Sequence, residues 1–147
     1  AVLQSAIKWY PNSAGSYREL GRVYTKLGKP APMNEETIVK LIEDGKIDEA
    51  LAAYDKVQKQ YPGWIVFNEE SINMQGYHLM AKKQYDAAIK VFQLNAKAYP
   101  KSANAFDSLG EGYMNGGKKQ EAIAAYQQSL DMDPSNNNAK EMLARLK

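Results

Sequence analysis

The 147-residue chain contains no cysteine and a single histidine, His78. The first absence rules out disulfides, thiol nucleophiles and thiolate metal sites, and gives no clue to compartment, which stays unknown. The second rules out a two-histidine metal site. It would also rest any Ser-His-Asp triad on one side chain, and no G-x-S-x-G elbow is present to supply the serine. Long apolar runs are missing too. The longest bulky cluster, GWIVF at 63–67, falls far short of the roughly 18 residues a membrane span needs, and is expected to pack against neighbouring helices. No block of like charge exceeds two or three residues, and nineteen basic against seventeen acidic side chains leave a formal charge of +2. The clustered Lys and Arg that neutralise phosphates are therefore absent, and nucleic acid is not an expected partner. Ala1 in place of Met is expected of a processed or trimmed chain.

What is present is ordinary for a soluble globular protein: 44% apolar and 24% charged residues, in a length that fits one domain with a sizeable core. The informative feature is repetition. DEALAAYDKVQKQYP at 48–62, DAAIKVFQLNAKAYP at 86–100 and QEAIAAYQQSLDMDP at 120–134 align without gaps. Each places an Ala (Ala50, Ala88, Ala122) four residues before an aromatic (Tyr54, Phe92, Tyr126), and a Pro (Pro62, Pro100, Pro134) eight after it. Leu3 and Pro11 keep the interval of eight. Upstream, YRELGRVY at 17–24 and FDSLGEGY at 106–113 share an aromatic, Leu-Gly and Tyr at identical separations.

Residues at offsets of three, four and seven lie on one helical stripe, so each set is expected to bury together against a partner helix. Gly21 and Gly110 in mid-helix cost up to about 1 kcal/mol relative to Ala, which makes sense where two backbones approach closely. Ala122 permits the same approach from the opposing helix, and Tyr126 fills the space one turn on. Gly116-Gly117 marks the bend. Pro134 ends the second helix, Ser102 is a candidate N-cap, and Asn34 and Asn68 each precede a pair of glutamates that favour a positive helix end. Helical patterns also cover roughly 14–27, 34–44 and 47–60, with GKPAPM at 28–33 as an irregular joint.

The spacing Phe106, Leu109, Gly110, Tyr113, Ala122, Tyr126, Pro134 resembles the tetratricopeptide repeat, W-x2-LG-x2-Y…A-x3-F…P. The match is strong at 103–134, good at 72–100 and partial at 1–62. The middle repeat departs from it at Ile72, at Gln75 beside Gly76, and at Leu79. The resemblance implies an all-α, right-handed superhelical solenoid of antiparallel helix pairs, about nine helices in one domain over 1–147. Its expected parts are a half repeat at 1–11, an irregular region at 14–62, repeats at 68–100 and 102–134, and a capping helix at 135–147. In that cap Met142, Leu143 and Leu146 face inward, while Asn136 and Asn138 face water. More distantly, 68–113 resembles the helical-repeat tail of some bacterial serine hydrolases and esterases, which implies an accessory module of a larger enzyme.

No catalytic constellation, metal site or cofactor site is expected. Glu35-Glu36 and Glu69-Glu70 are accounted for by their place at helix starts, and GEGYMNGG at 110–117 lacks the strand and GK[ST] of a phosphate loop. The expectation is a non-enzymatic scaffold that binds a protein or peptide. In the family the first helix of each pair lines a concave groove. Here that lining is Arg18 and Arg22; Glu70, Asn73, Tyr77 and Met80; then Asn104, Asp107, Glu111 and Met114. Asn73 and Asn104 would bond a peptide backbone, Tyr77, Met80 and Met114 would give adaptable apolar contact, and the acids would prefer a basic segment. The uncapped N-terminal helix, with Leu3 and Ile7, invites self-association or contact with an upstream domain.

Overall fold

A computed structural model describes residues 13–147. The half repeat expected at 1–11, with Leu3 and Ile7, lies outside the described residues. Eight α-helices and no strand occur among those described: α1 Ala14–Lys26, α2 Glu35–Glu43, α3 Ile47–Gln60, α4 Glu69–Ala81, α5 Tyr85–Ala98, α6 Ala103–Asn115, α7 Lys119–Met132 and α8 Asn137–Leu146. Backbone packing divides the chain into two compact units, with the boundary between Asn68 and Glu69.

Helix ends follow from local chemistry. Asn34, Ser102 and Asn136 each accept a backbone N–H three residues on, from Thr37, Ala105 and Ala139, and so start α2, α6 and α8. Four helices stop the same way. Gly28, Gly45, Lys83 and Gly117 take positive φ, at 68°, 74°, 58° and 73°. The N–H of the next residue then bonds the carbonyl five back: Lys29 to Tyr24, Lys46 to Leu41, Gln84 to Leu79 and Lys118 to Tyr113. The last three turns fall 38 and 34 residues apart, the intervals separating Ala50, Ala88 and Ala122. Lys83 occupies a conformation in which L side chains are strained.

In the first unit α3 packs on α2, with Ala50 and Tyr54 buried. The stretch 63–67 forms no helix but buries Trp64, Val66 and Phe67. Trp64 meets the rings of Tyr17, Tyr24 and Tyr61 at centroid distances of 5.0, 6.2 and 5.8 Å, and Phe67 lies 5.6 Å from Tyr54. The aromatic residues of α1 thus meet a loop tryptophan. At Gly21 a Cβ would lie 3.8 Å from Ala31, so among the described residues none approaches closely enough to require glycine.

In the second unit the notch expected at Gly110 is present, and Gly76 forms another. A Cβ on Gly110 would fall 2.9 Å from the ring of Tyr126, and one on Gly76 only 2.4 Å from Phe92. Gly112 presses the other edge of that ring, its Cβ position 2.8 Å from Phe92 Cδ2. Both rings are fully buried, as are Ala88 and Ala122. Helix α8 closes the unit with Ala139 and Leu143, against which Met142, Leu146, Tyr113 and Met114 pack.

Candidate functional site

Helices α4 and α6 each start a helix pair in the second unit, α8 follows the second pair, and their polar side chains are tied to one another. At the start of α4, Glu69 Oε1 accepts from Ser102 Oγ at 2.6 Å and from Asn104 Nδ2 at 3.1 Å. Two turns on, the Tyr77 hydroxyl donates to Glu111 Oε2 at 2.8 Å and lies 3.2 Å from Ser108 Oγ. Asp107 continues the series, accepting from Asn136 Nδ2 at 2.9 Å and from Asn138 Nδ2 at 2.8 Å. Asn136, expected to face water, is half-buried and engaged on both ends of its amide. It caps α8, bonds Asp107 and donates to Ser129 Oγ, whose hydroxyl in turn bonds the Ala103 carbonyl at 2.7 Å. Asn95, 34 residues before Ser129, makes the matching bond to the Glu69 carbonyl at 3.1 Å.

These bonds redistribute the roles assigned to the groove residues. Tyr77, Asn104, Asp107 and Glu111, expected to line a groove, each bond a neighbouring helix and so brace the helices against one another. Burial is the main reason the Tyr77 phenol is pushed up to about 12; the Ser108 bond works against the rise, while the bond to Glu111 and the charges of Glu111 and Asp107 add to it. The ring stacks edge-on to Phe92 at 5.2 Å. Met114 is half-buried against the Tyr126 and Leu143 cluster. Met80 is half-buried, and Glu70 is exposed. Asn73 is half-buried, with Oδ1 enclosed and without a hydrogen-bond partner among the described residues. Arg18 and Arg22 are exposed on α1 in the first unit, where Arg22 pairs with Glu19 at 2.7 Å.

Met74 was missing from the expected lining. It is 52% exposed, one turn after Glu70 on α4. Its counterpart 34 residues on, Ser108, is 2% exposed, so the repeat interval did not point to it. Electrostatically α4 and α6 carry acidic charge alone, whereas α8 carries Lys140, Glu141 and Arg145. Helices α4 and α6 together hold Glu69, Glu70, Asp107 and Glu111 and no Lys or Arg, while Lys90, Lys97 and Lys119 sit on the second helices α5 and α7. Among the described residues no group of three His, Asp or Glu is placed to hold a metal ion, and no helix is long and apolar enough to cross a membrane.

Family models described as tetratricopeptide repeat match residues 16–63, 41–103 and 103–136. The chain is a tetratricopeptide-repeat (TPR) protein. A curated TPR relative, the Small glutamine-rich tetratricopeptide repeat-containing protein 2 of Mycosarcoma maydis, is 39% identical over 64 residues, which cover 44% of this chain and 18% of that protein. The match thus spans under a fifth of the relative's length. Among solved structures, the first TPR of Spaghetti (RPAP3) bound to HSP90 peptide SRMEEVD aligns with a TM-score of 0.52 at 21% identity, covering 76% of this TPR chain and 86% of that one. MamA aligns with 0.53 at 19%, over 98% and 72% of the two chains. MamA 41-end from Desulfovibrio magneticus RS-1 aligns with 0.51 at 24%, over 92% and 84%. At these identities the likeness is one of fold.

Proposed function

We propose that this TPR chain is a protein-interaction scaffold, and that the face of α4 and α6 holds a segment of a partner protein carrying Lys or Arg. The observation that carries the reading is the charge of the face: four carboxylates with no basic side chain on either helix. Complementary charge speeds encounter and selects among partners even where it adds little net affinity. The bonds between α4, α6 and α8 hold the lining in place before a ligand arrives, which lowers the ordering cost of binding.

The Spaghetti TPR is bound to SRMEEVD, a peptide with three acidic side chains. Set against Glu69, Glu70, Asp107 and Glu111, such a peptide meets like charge. The ligand proposed here is of the opposite kind. Fluorescence-anisotropy titration of the chain with a dye-labelled lysine-rich peptide and with SRMEEVD tests the reading. Binding of the lysine peptide, weakening as salt rises and weakening again in Glu70→Lys, is expected. Equal binding of the acidic peptide overturns it. Glu70 is chosen for the charge reversal because it is exposed, whereas Asp107 anchors the start of α8.

A further inference from the structure

Helix α4 presents two side chains of different chemistry to solvent, one turn apart. Glu70 is exposed, and Met74 is 52% exposed, one of the large hydrophobic residues left uncovered among the described residues. The other acids of the face are already engaged: Glu69 by Ser102 and Asn104, Glu111 by Tyr77, Asp107 by Asn136 and Asn138. Ser108, at the position of Met74 in the next repeat, is buried in contact with the Tyr77 hydroxyl.

Resting on the acidic-face reading above, we infer that Glu70 and Met74 form a two-part subsite, and that its occupant is an extended partner segment carrying a basic residue and an apolar residue two positions apart. Glu70 takes the charge and Met74 the apolar side chain. The register follows from geometry. Four residues of α-helix advance about 6 Å, and two residues of extended chain advance about 6.6 Å with both side chains on one side. An extended segment lying along α4 therefore sets its i and i+2 side chains over Glu70 and Met74. A thioether on a flexible stem adapts to apolar side chains of different shape, so the apolar position accepts Leu, Met or Phe alike.

The test uses the full chain and dye-labelled Ser/Gly peptides that each carry one Arg and one Leu, separated by one, two or three positions, with an Arg-only peptide as reference. The i,i+2 peptide is expected to bind tightest. Met74→Ser should weaken it about tenfold, toward the affinity of the Arg-only peptide, and Glu70→Gln should weaken both peptides about two- to fivefold at low salt. Both side chains are exposed, and circular dichroism checks that each variant keeps its helices. Arg peptides that bind without regard to spacing, or an unchanged affinity in Met74→Ser, overturn the subsite and leave the acidic face standing. If no Arg peptide binds the wild-type chain, both readings fall.

Discussion

Three glycines that look alike in sequence should respond differently to one added methyl group. Each lies inside a helix without positive φ, so Gly→Ala removes backbone entropy from the unfolded chain and gains up to about 1 kcal/mol. What opposes that gain differs by site. At Gly21 the new Cβ meets, among the described residues, only Ala31 at 3.8 Å, an ordinary contact, and the variant should be more stable by up to about 1 kcal/mol. At Gly110 it would lie 2.9 Å from three atoms of the Tyr126 ring, and at Gly76 2.4 Å from Phe92 Cε1. Phe92 has no retreat, because Gly112 closes on its other edge. Overpacking a filled core costs about 1–3 kcal/mol. Taking the upper end for Gly76 and the middle for Gly110, the net losses are about 2 and about 1 kcal/mol after the helix-propensity gain. Melting of the second unit should fall by about 4–8 °C per kcal/mol. Urea unfolding followed by far-ultraviolet circular dichroism reads all three variants. Gly76→Ala at wild-type stability, or Gly21→Ala as damaging as Gly110→Ala, refutes the packing argument.

Three further outcomes follow from single side chains. Tyr126 is fully buried and its hydroxyl has no hydrogen-bond partner among the described residues, while Phe92 fills the equivalent place one repeat earlier. Tyr126→Phe should therefore leave stability unchanged or raise it by about 1 kcal/mol, and a loss of that size in urea unfolding contradicts the assignment. Lys83→Gly relieves the one positive-φ non-glycine turn among the described residues and should stabilise the second unit by about 1 kcal/mol, with a lower urea midpoint as the refuting result. Burial raises the phenol pKa of Tyr54, Tyr77 and Tyr126, Tyr77 to about 12. For a raised group the stabilisation is complete below the unfolded value near 10 and is lost as pH climbs through the folded value. Urea midpoints should thus hold steady up to about pH 10 and fall between there and about pH 12, less steeply in Tyr77→Phe; a flat profile rules the effect out.

Local patterns in the sequence carried the fold because the repeat is built from contacts between neighbouring helices. The Leu109-Gly110 notch, the Ala122 and Tyr126 pair, the Gly116-Gly117 bend and the caps Asn34 and Ser102 all depend on residue type at short spacing, and each stands where the spacing placed it. The motif around Gly21 matches that of Gly110, yet the ring that meets Tyr17 and Tyr24 is Trp64, from a loop about forty residues away, and none of the described residues presses on Gly21. The bonds Glu69–Asn104, Tyr77–Glu111 and Asp107–Asn138 join residues 31 to 35 apart. Helical spacing within one element shows which side chains share a face; it does not show which of them meet across two. Lys83 hid in its turn because lysine carries none of glycine's conformational signal, although the interval of 34 to Gly117 pointed to it.

The face itself is tested most directly by a two-dimensional amide NMR titration of the chain with the Arg-Leu i,i+2 peptide. Shift changes should gather on α4 around Glu70, Met74 and Tyr77, extend to Glu111 on α6, and leave α5 and α7 unmoved. Changes centred on α5 or α7, or none at peptide concentrations that saturate the anisotropy signal, would contradict the account.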